Sequence, residues 1–396
     1  MASFKNQHYV PKFYLKNFSS DDVGLFIYDI QTRETKRRNI DRICSSFYFY
    51  ADNQTGPSFE TMLSKLEKIH SDIIKKLVNS KRISSLTSSD LQYLHNFILL
   101  QKTRTRASKM QTERQMNSLF DALKPYFAED ERAKEKNLTL EVFKSVRIVL
   151  NKANSSGMLL AMVGAALISD LNMKLLINKT DKPFIASDSP VVLYNYLRLE
   201  RHGVRGLQSP GLIIFFPLNA SIMLILFDPK AYRMGDERNE TVKISRSADI
   251  DDINRLQLLS AEDLVFFSSA NLHNYVNALF ESVEDYRGKE TMNVEIIKKI
   301  QGETEAHDLI HSSSGGCRYK IHISCIKVNQ KYLNAIARLY DENKDKPVTI
   351  VRNPEICHYV QKMSDDAYAK GKEESRSQGC RQKEEDDSFE RRDGSH

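Results

Sequence analysis

Five polar residues stand in apolar surroundings where a polar side chain needs a reason: His8, Glu67, Gln101, Arg104 and Asp188. His8 lies in Asn6-Gln7-His8-Tyr9-Val10-Pro11, just ahead of a helix start. An imidazole there can be held in one orientation with a nitrogen free for a proton or a metal ion. It can equally pack and hydrogen-bond at the helix start. Asp188 sits in a Ser-Asp-Ser-Pro turn between the apolar runs Phe184-Ile-Ala and Val191-Val-Leu. A carboxylate at the end of a buried strand can ligate a metal or act as general base. It can also hold following backbone N–H groups in an Asx-turn.

Gln101, Arg104 and Thr105 continue the inner face that Leu94, Phe97 and Ile98 begin. A buried charge without a partner is expensive, so Arg104 calls for a carboxylate such as Glu67 or Asp188, or for an anionic substrate. Glu60 shares a helix face with Glu67, seven residues on, and reads as surface charge. His311, Cys317, His322 and Cys325 have zinc-binding types, but their irregular spacing lacks the tight pairs of structural zinc sites. Two basic clusters, Arg33 to Arg42 and Lys102 to Lys109, could contact phosphates, although solvated faces are the ordinary reading. There is no Gly-rich phosphate loop, no His-Glu-x-x-His and no Gly-x-Ser-x-Gly, which weighs against P-loop nucleotidases, zincins and α/β-hydrolases.

The elements that must position these groups change character along the chain. Pro11 to Phe18 reads as a short helix with proline in its first turn. Gly24 to Ile30 and Lys36 to Ile40 read as a hairpin. Phe59, Leu63, Leu66, Ile69, Ile73 and Leu77 recur at helical steps, and Ser88-Ser-Asp90 caps a second helix through about Lys109. Further helices are expected near 111–126, 140–152 and 158–168. The runs 174–178, 183–186, 191–194, 212–216 and 221–227 read as strands of one sheet, followed by helices over 249–261 and 270–283. A strand at 318–328 and a helix at 330–340 complete the pattern. Helices, then strands, then helices indicate an α+β fold: a mainly helical N-terminal half packed on a small, mostly antiparallel sheet, with further C-terminal helices.

Lysine and arginine number 58 against 52 aspartates and glutamates, a net charge of +6 across 396 residues. That excess is too small for a nucleic-acid coat protein. With 41% hydrophobic residues an ordinary core is expected, and wholesale disorder is not. The polar N-terminus shows no signal peptide, and the longest apolar run, Met158 to Ile168, is too short for a membrane span of about 20 residues. Five scattered cysteines suit a reducing compartment. A cytoplasmic protein is the expectation.

The same segments carry a resemblance. His8-Tyr-Val-Pro-x-Phe-Tyr-Leu-x-Asn-Phe18 resembles the opening motif of the bacterial and phage-associated family called domain of unknown function 4238. The Leu66-Glu67 helix, Gln101-x-x-Arg104-Thr105, Phe184-Ile-x-Ser-Asp188-x-Pro-Val-Val, Phe216-Pro217-Leu218 and Asn254-x-x-Gln257 resemble it in order, over about residues 4 to 280. Ala186 replaces a more usual threonine and Ser189 a common asparagine. The resemblance implies an intracellular α+β protein, often found among mobile and defence-associated genes, and brings no established activity.

These observations suggest that His8, Glu67, Gln101, Arg104 and Asp188 converge on one partly buried site between the helical half and the sheet. One expectation is a metal-dependent nuclease or phosphodiesterase active on nucleic acid in phage defence. Asp188 and Glu67 would hold Mg²⁺ or Mn²⁺, His8 would serve as general base or third ligand, Arg104 would steady the phosphate and Gln101 would orient a ligand or water. The alternative is a non-catalytic binding or phage-sensing protein whose polar set is a structural network. The expected organisation is a core domain over 1–287, an extension over 288–362 and a charged, disordered tail over 363–396.

Overall fold

The computed structural model describes residues 6–47, 49, 59–150, 158, 164–197, 206–287, 292–297, 309–314, 319–342, 350–363 and 365, with backbone alone at 59, 60, 292–297 and 309–314. Residues 1–352 and 353–396 form two compact units. In the second, residues 354–363 are helical.

Strands β8 (Leu212–Asn219) and β9 (Ile222–Phe227) are almost unbroken runs of β-branched, aliphatic and aromatic residues, and nearly every side chain in them is buried. Such runs suit strands covered on both faces. They pair at the centre of a five-stranded sheet ordered β11 (Thr241–Ile244), β5 (Asn172–Asn178), β9, β8, β7 (Val192–Asn195). Only the β11–β5 pairing in that sheet is parallel.

Alternation along the strands divides their side chains between two cores. Leu212, Ile214, Phe216, Leu224 and Leu226 join one core with helices α1 (Lys12–Lys16), α2 (Phe59–Ser80) and α3 (Ser88–Thr103), through Tyr14, Leu63, Leu77, Phe97 and Ile98. Ile213, Phe215, Met223, Ile225 and Phe227 join the other, with α7 (Ser247–Ser260) and α9 (Gln330–Glu342). Each such side chain, fully buried, contributes about 1.5–3 kcal/mol.

A second sheet, all antiparallel, is ordered β3 (Thr35–Asn39), β2 (Gly24–Asp29), β12 (Leu264–Phe267), β6 (Ala186–Ser187). A third core lies against it, with α8 (His273–Glu281) contributing Val276, Leu279 and Phe280. The architecture is α+β, helix-rich in the N-terminal half, with mostly antiparallel sheets and further helices towards the C-terminus. Among the described residues no helix is long and apolar enough to cross a membrane.

Several expectations need correction. Residues 186–187 leave the strand set of the five-stranded sheet and pair with β12 instead. The helix expected through Lys109 ends at Thr103, and a separate α4 (Arg106–Glu129) follows. The helix expected over 140–152 covers only α6 (Leu140–Ser145), behind the short α5 (Glu131–Glu135). Met158 is helical and Gly164–Ile168 is a 3-10 turn, while residues between them lie outside the described set. Of the strand expected at 318–328 only β15 (Ile326–Val328) forms. The first compact unit runs on past residue 287, because Ile321, Ile323, Ile326, Leu333 and Ile336 belong to the second core. The expected tail, apart from 363 and 365, lies outside the described residues.

Candidate functional site

Strand β1 (Asn6–His8) pairs antiparallel with β4 (Ser45–Phe47), and the Tyr9 N–H extends the ladder to the Cys44 carbonyl at 2.9 Å. Helix α3 starts with a reciprocal capping box between Thr87 and Asp90. It ends where Arg104 leaves helical geometry and Thr105 caps α4 by accepting the Ser108 N–H at 3.2 Å. That break points two α3 side chains at the β1 segment. Arg104 Nη2 donates to the His8 carbonyl at 2.6 Å and to Glu67 Oε1 at 2.7 Å. Gln101 Nε2 donates to the Tyr9 carbonyl at 3.1 Å. Arg104 is 1% exposed and Glu67 30%, so the pair joins a buried guanidinium to a carboxylate that still reaches solvent.

His8, Glu67 and Arg104 line a cleft of about 630 Å³ together with Lys12, Asp41 and Lys68. Lys12 and Asp41 pair at 2.6 Å on its rim. Burial, then the Lys12 ammonium, lowers the His8 pKa, against raising contributions from a bond to the Ile40 backbone and from Glu67. The ring is therefore mostly neutral near pH 7 and able to accept a proton. Behind it His70, three residues on from Glu67 on α2, is buried against the Phe97 ring at 4.8 Å between centroids. Burial and Arg104 push the His70 pKa down to about 4, against the Asn96 side chain.

Asp188 does not join this cleft. Its carboxylate accepts N–H groups from Glu262 at 2.8 Å, Asp263 at 2.9 Å and Leu264 at 3.2 Å. At 1% exposure it fastens the turn after β6 to the start of β12. Burial pushes its pKa up to about 6 against the pull of those three N–H groups. Four of the five expected residues thus meet, and the fifth is engaged elsewhere.

The other motif residues are fasteners too. Asn254 on α7 accepts the Ile185 N–H and donates to the Pro183 carbonyl, while Gln257 accepts the Ser187 hydroxyl and donates to the Pro190 carbonyl. Tyr14 donates to the Pro217 carbonyl at 2.6 Å and stacks on Phe216.

Among the described residues no three His, Cys, Asp or Glu side chains gather to hold a metal ion. The Asp188–Glu67–His8 ligand set expected for Mg²⁺ or Mn²⁺ is not assembled, because Asp188 faces the 262–264 backbone. Of the irregular His/Cys set, His322 is exposed and burial pushes the Cys325 thiol up to about 12, whereas Cys317 and the His311 and Glu60 side chains lie outside the described residues. The basic clusters are largely solvated, with Arg37 paired to Asp21 and Arg106 to Asp263. Sequence reasoning missed His70, Lys12, Asp41 and Lys68. Only His70 and Lys68 carried a signal, by standing within one helical turn of Glu67.

No curated protein and no solved structure matches the chain. The family described as "Protein of unknown function (DUF4238)" matches residues 6–271, from β1 to just beyond β12. The matched span holds the strand, both helices and every side chain that builds the cleft, together with the Asp188, Asn254 and Gln257 fasteners, and the chain belongs to this family.

Proposed function

We propose that this protein is a phosphodiesterase of nucleic acid, working in the cytoplasm at the cleft between β1, α2 and α3. The observation that carries the reading is the neutral His8 imidazole sharing one open cleft with Glu67, Lys12, Lys68 and the buried Arg104. Lys68, which makes no ion pair among the described residues, would meet a phosphate at the mouth with Lys12 beside it. His8 would take a proton from the attacking water, and Arg104 would act as a positioning residue by fixing the His8 backbone and Glu67. Glu67 and Asp41 fall short of a three-ligand metal centre, so no step runs through Mg²⁺ or Mn²⁺. Cutting of phage nucleic acid would be the corresponding cellular role.

The test is cleavage of tRNA, mRNA, single-stranded and duplex DNA by wild type and His8→Ala, each with Mg²⁺, Mn²⁺ or EDTA. The substitution removes the ring and leaves the carbonyl that holds Arg104, so the fold should persist by circular dichroism. Loss of cleavage by about 10²–10⁴-fold is expected for a general base. Cleavage of none of the substrates overturns the proposal.

A second reading has its own support: Arg104, Gln101, Asp188, Asn254 and Gln257 all bond to backbone groups distant in sequence. On that reading the protein binds a partner without chemistry and the motif residues hold the scaffold. Wild type inert in every arm, with motif variants that melt early, would favour it.

A further inference from the structure

On the far side of the five-stranded sheet from α1–α3, β10 (Tyr232–Met234) and β15 (Ile326–Val328) form a two-stranded antiparallel sheet. Tyr232, Met234 and Ile326 are buried in the second core, so alternation turns Arg233 and Lys327 outward, and these two are direct cross-strand partners. Like charges placed opposite each other on one face of a sheet are destabilising. A cavity of about 670 Å³ opens beside them, and Lys230, Asn329 and Tyr332 also line it. No carboxylate is among its lining residues.

Nothing nearby neutralises this charge well. Arg233 stands 3.7 Å from Glu237, and both side chains are more than three-quarters exposed, a geometry worth little. Lys230 and Lys327 make no ion pair among the described residues. The buried Asp228 accepts the Gly211 N–H at 2.8 Å and the Lys230 N–H at 2.9 Å, and it also bonds the Tyr332 hydroxyl. Helix α9 starts at the cavity edge, capped by Asn329, which accepts the Tyr332 N–H at 3.2 Å. The positive end of its dipole adds to the field.

We infer that this cavity binds a phosphate-bearing ligand of nucleotide size, with a phosphate seated between Arg233 and Lys327 and Lys230 as the third cation. The guanidinium fork fits two phosphate oxygens at once, and an ammonium opposite supplies a point charge. The volume falls within the usual range for small-ligand pockets, about 300–1,000 Å³. A bound anion turns the cross-strand repulsion into a shared attraction. The inference is independent of the cleft and of any activity there.

Calorimetric titration of the full chain tests it, with ATP, pyrophosphate and a short 5′-phosphorylated oligonucleotide as probes. Wild type is compared with Arg233→Ala/Lys327→Ala, Lys327→Glu and Lys68→Ala. The double variant should weaken binding by about tenfold or more. Lys327→Glu, which places an acid opposite Arg233, should abolish binding while the melting temperature holds or rises, separating loss of the site from loss of the fold. Binding of ATP alone identifies a free nucleotide, and binding of the oligonucleotide alone identifies a strand end. Both support the site when the variants remove them. The site is wrong if no probe binds, if the variants bind as wild type does, or if Lys68→Ala removes the binding instead.

Discussion

Replacing Asp188 by asparagine separates two opposed effects on one carboxylate. Burial raises its pKa from 3.8 to about 6, while N–H groups of Glu262, Asp263 and Leu264 favour the ionised form. With the folded value above the unfolded one, the folded chain keeps a proton that the unfolded chain has already released. The contribution of Asp188 to stability is therefore full below pH 3.8 and is lost as pH rises through about 6. The shift of about two pH units corresponds to about 3 kcal/mol. Asparagine is neutral throughout. Its oxygen can serve Asp263 and Leu264, but its NH₂ then faces the Glu262 N–H, at a loss of about 1–3 kcal/mol. The variant should be less stable than wild type by that amount at about pH 4. The gap should narrow or reverse by about pH 7. Paired urea unfolding curves across this range measure it directly. A gap that widens with rising pH would mean that the three N–H groups outweigh burial, and the reasoning would be refuted. A flat gap would be equally damaging.

Arg104→Met should lower stability by about 3–5 kcal/mol, since it strips the His8 carbonyl and Glu67 of a buried partner. Glu67→Gln, at a partly exposed position, should do less, and differential scanning calorimetry of the two ranks them. His70 is held to a pKa of about 4, below its ordinary 6.5, so its stabilising contribution is present above pH 6.5 and is lost as pH falls through about 4. His70→Leu should remove up to about 3 kcal/mol of that acid sensitivity, read from urea midpoints between those pH values. Gly211 has φ +79°, and a Cβ there would lie 2.7 Å from Asn195 Oδ1. Gly211→Ala should therefore destabilise by about 2–3 kcal/mol, seen as a lower urea midpoint with unchanged slope.

Much of the scaffold was legible because its period is strong. Leu63, Ile73 and Leu77 mark the buried face of α2, and the apolar runs of β8 and β9 announced strands covered on both sides. The break between α3 and α4 was not legible, because Arg104 and Thr105 are acceptable inside a helix. The interruption is fixed by bonds to residues far away in sequence. Strand β12 hid between two helical patterns, and only its pairing with β2 and β6 explains it. For the site, apolar context correctly flagged His8, Glu67, Gln101 and Arg104 as polar groups with partners. It could not tell which end of Asp188 was engaged, since a carboxylate aimed at backbone N–H groups and one aimed at a metal have the same sequence context.

The placing of β12 has a consequence for how the chain is made. It is the inner strand between β2 and β6, yet it is synthesised after both and near the end of the family-matched span. A nascent chain emerging from the ribosome therefore presents the β2–β3 hairpin with one edge unpaired for most of its translation, with Leu25 and Ile27 still without the cover they have in the finished core. Exposed edges of this kind attract other chains. Truncations that stop short of Leu264 should accordingly aggregate rather than yield a smaller folded piece, and chaperone dependence should end once Phe267 has cleared the exit tunnel.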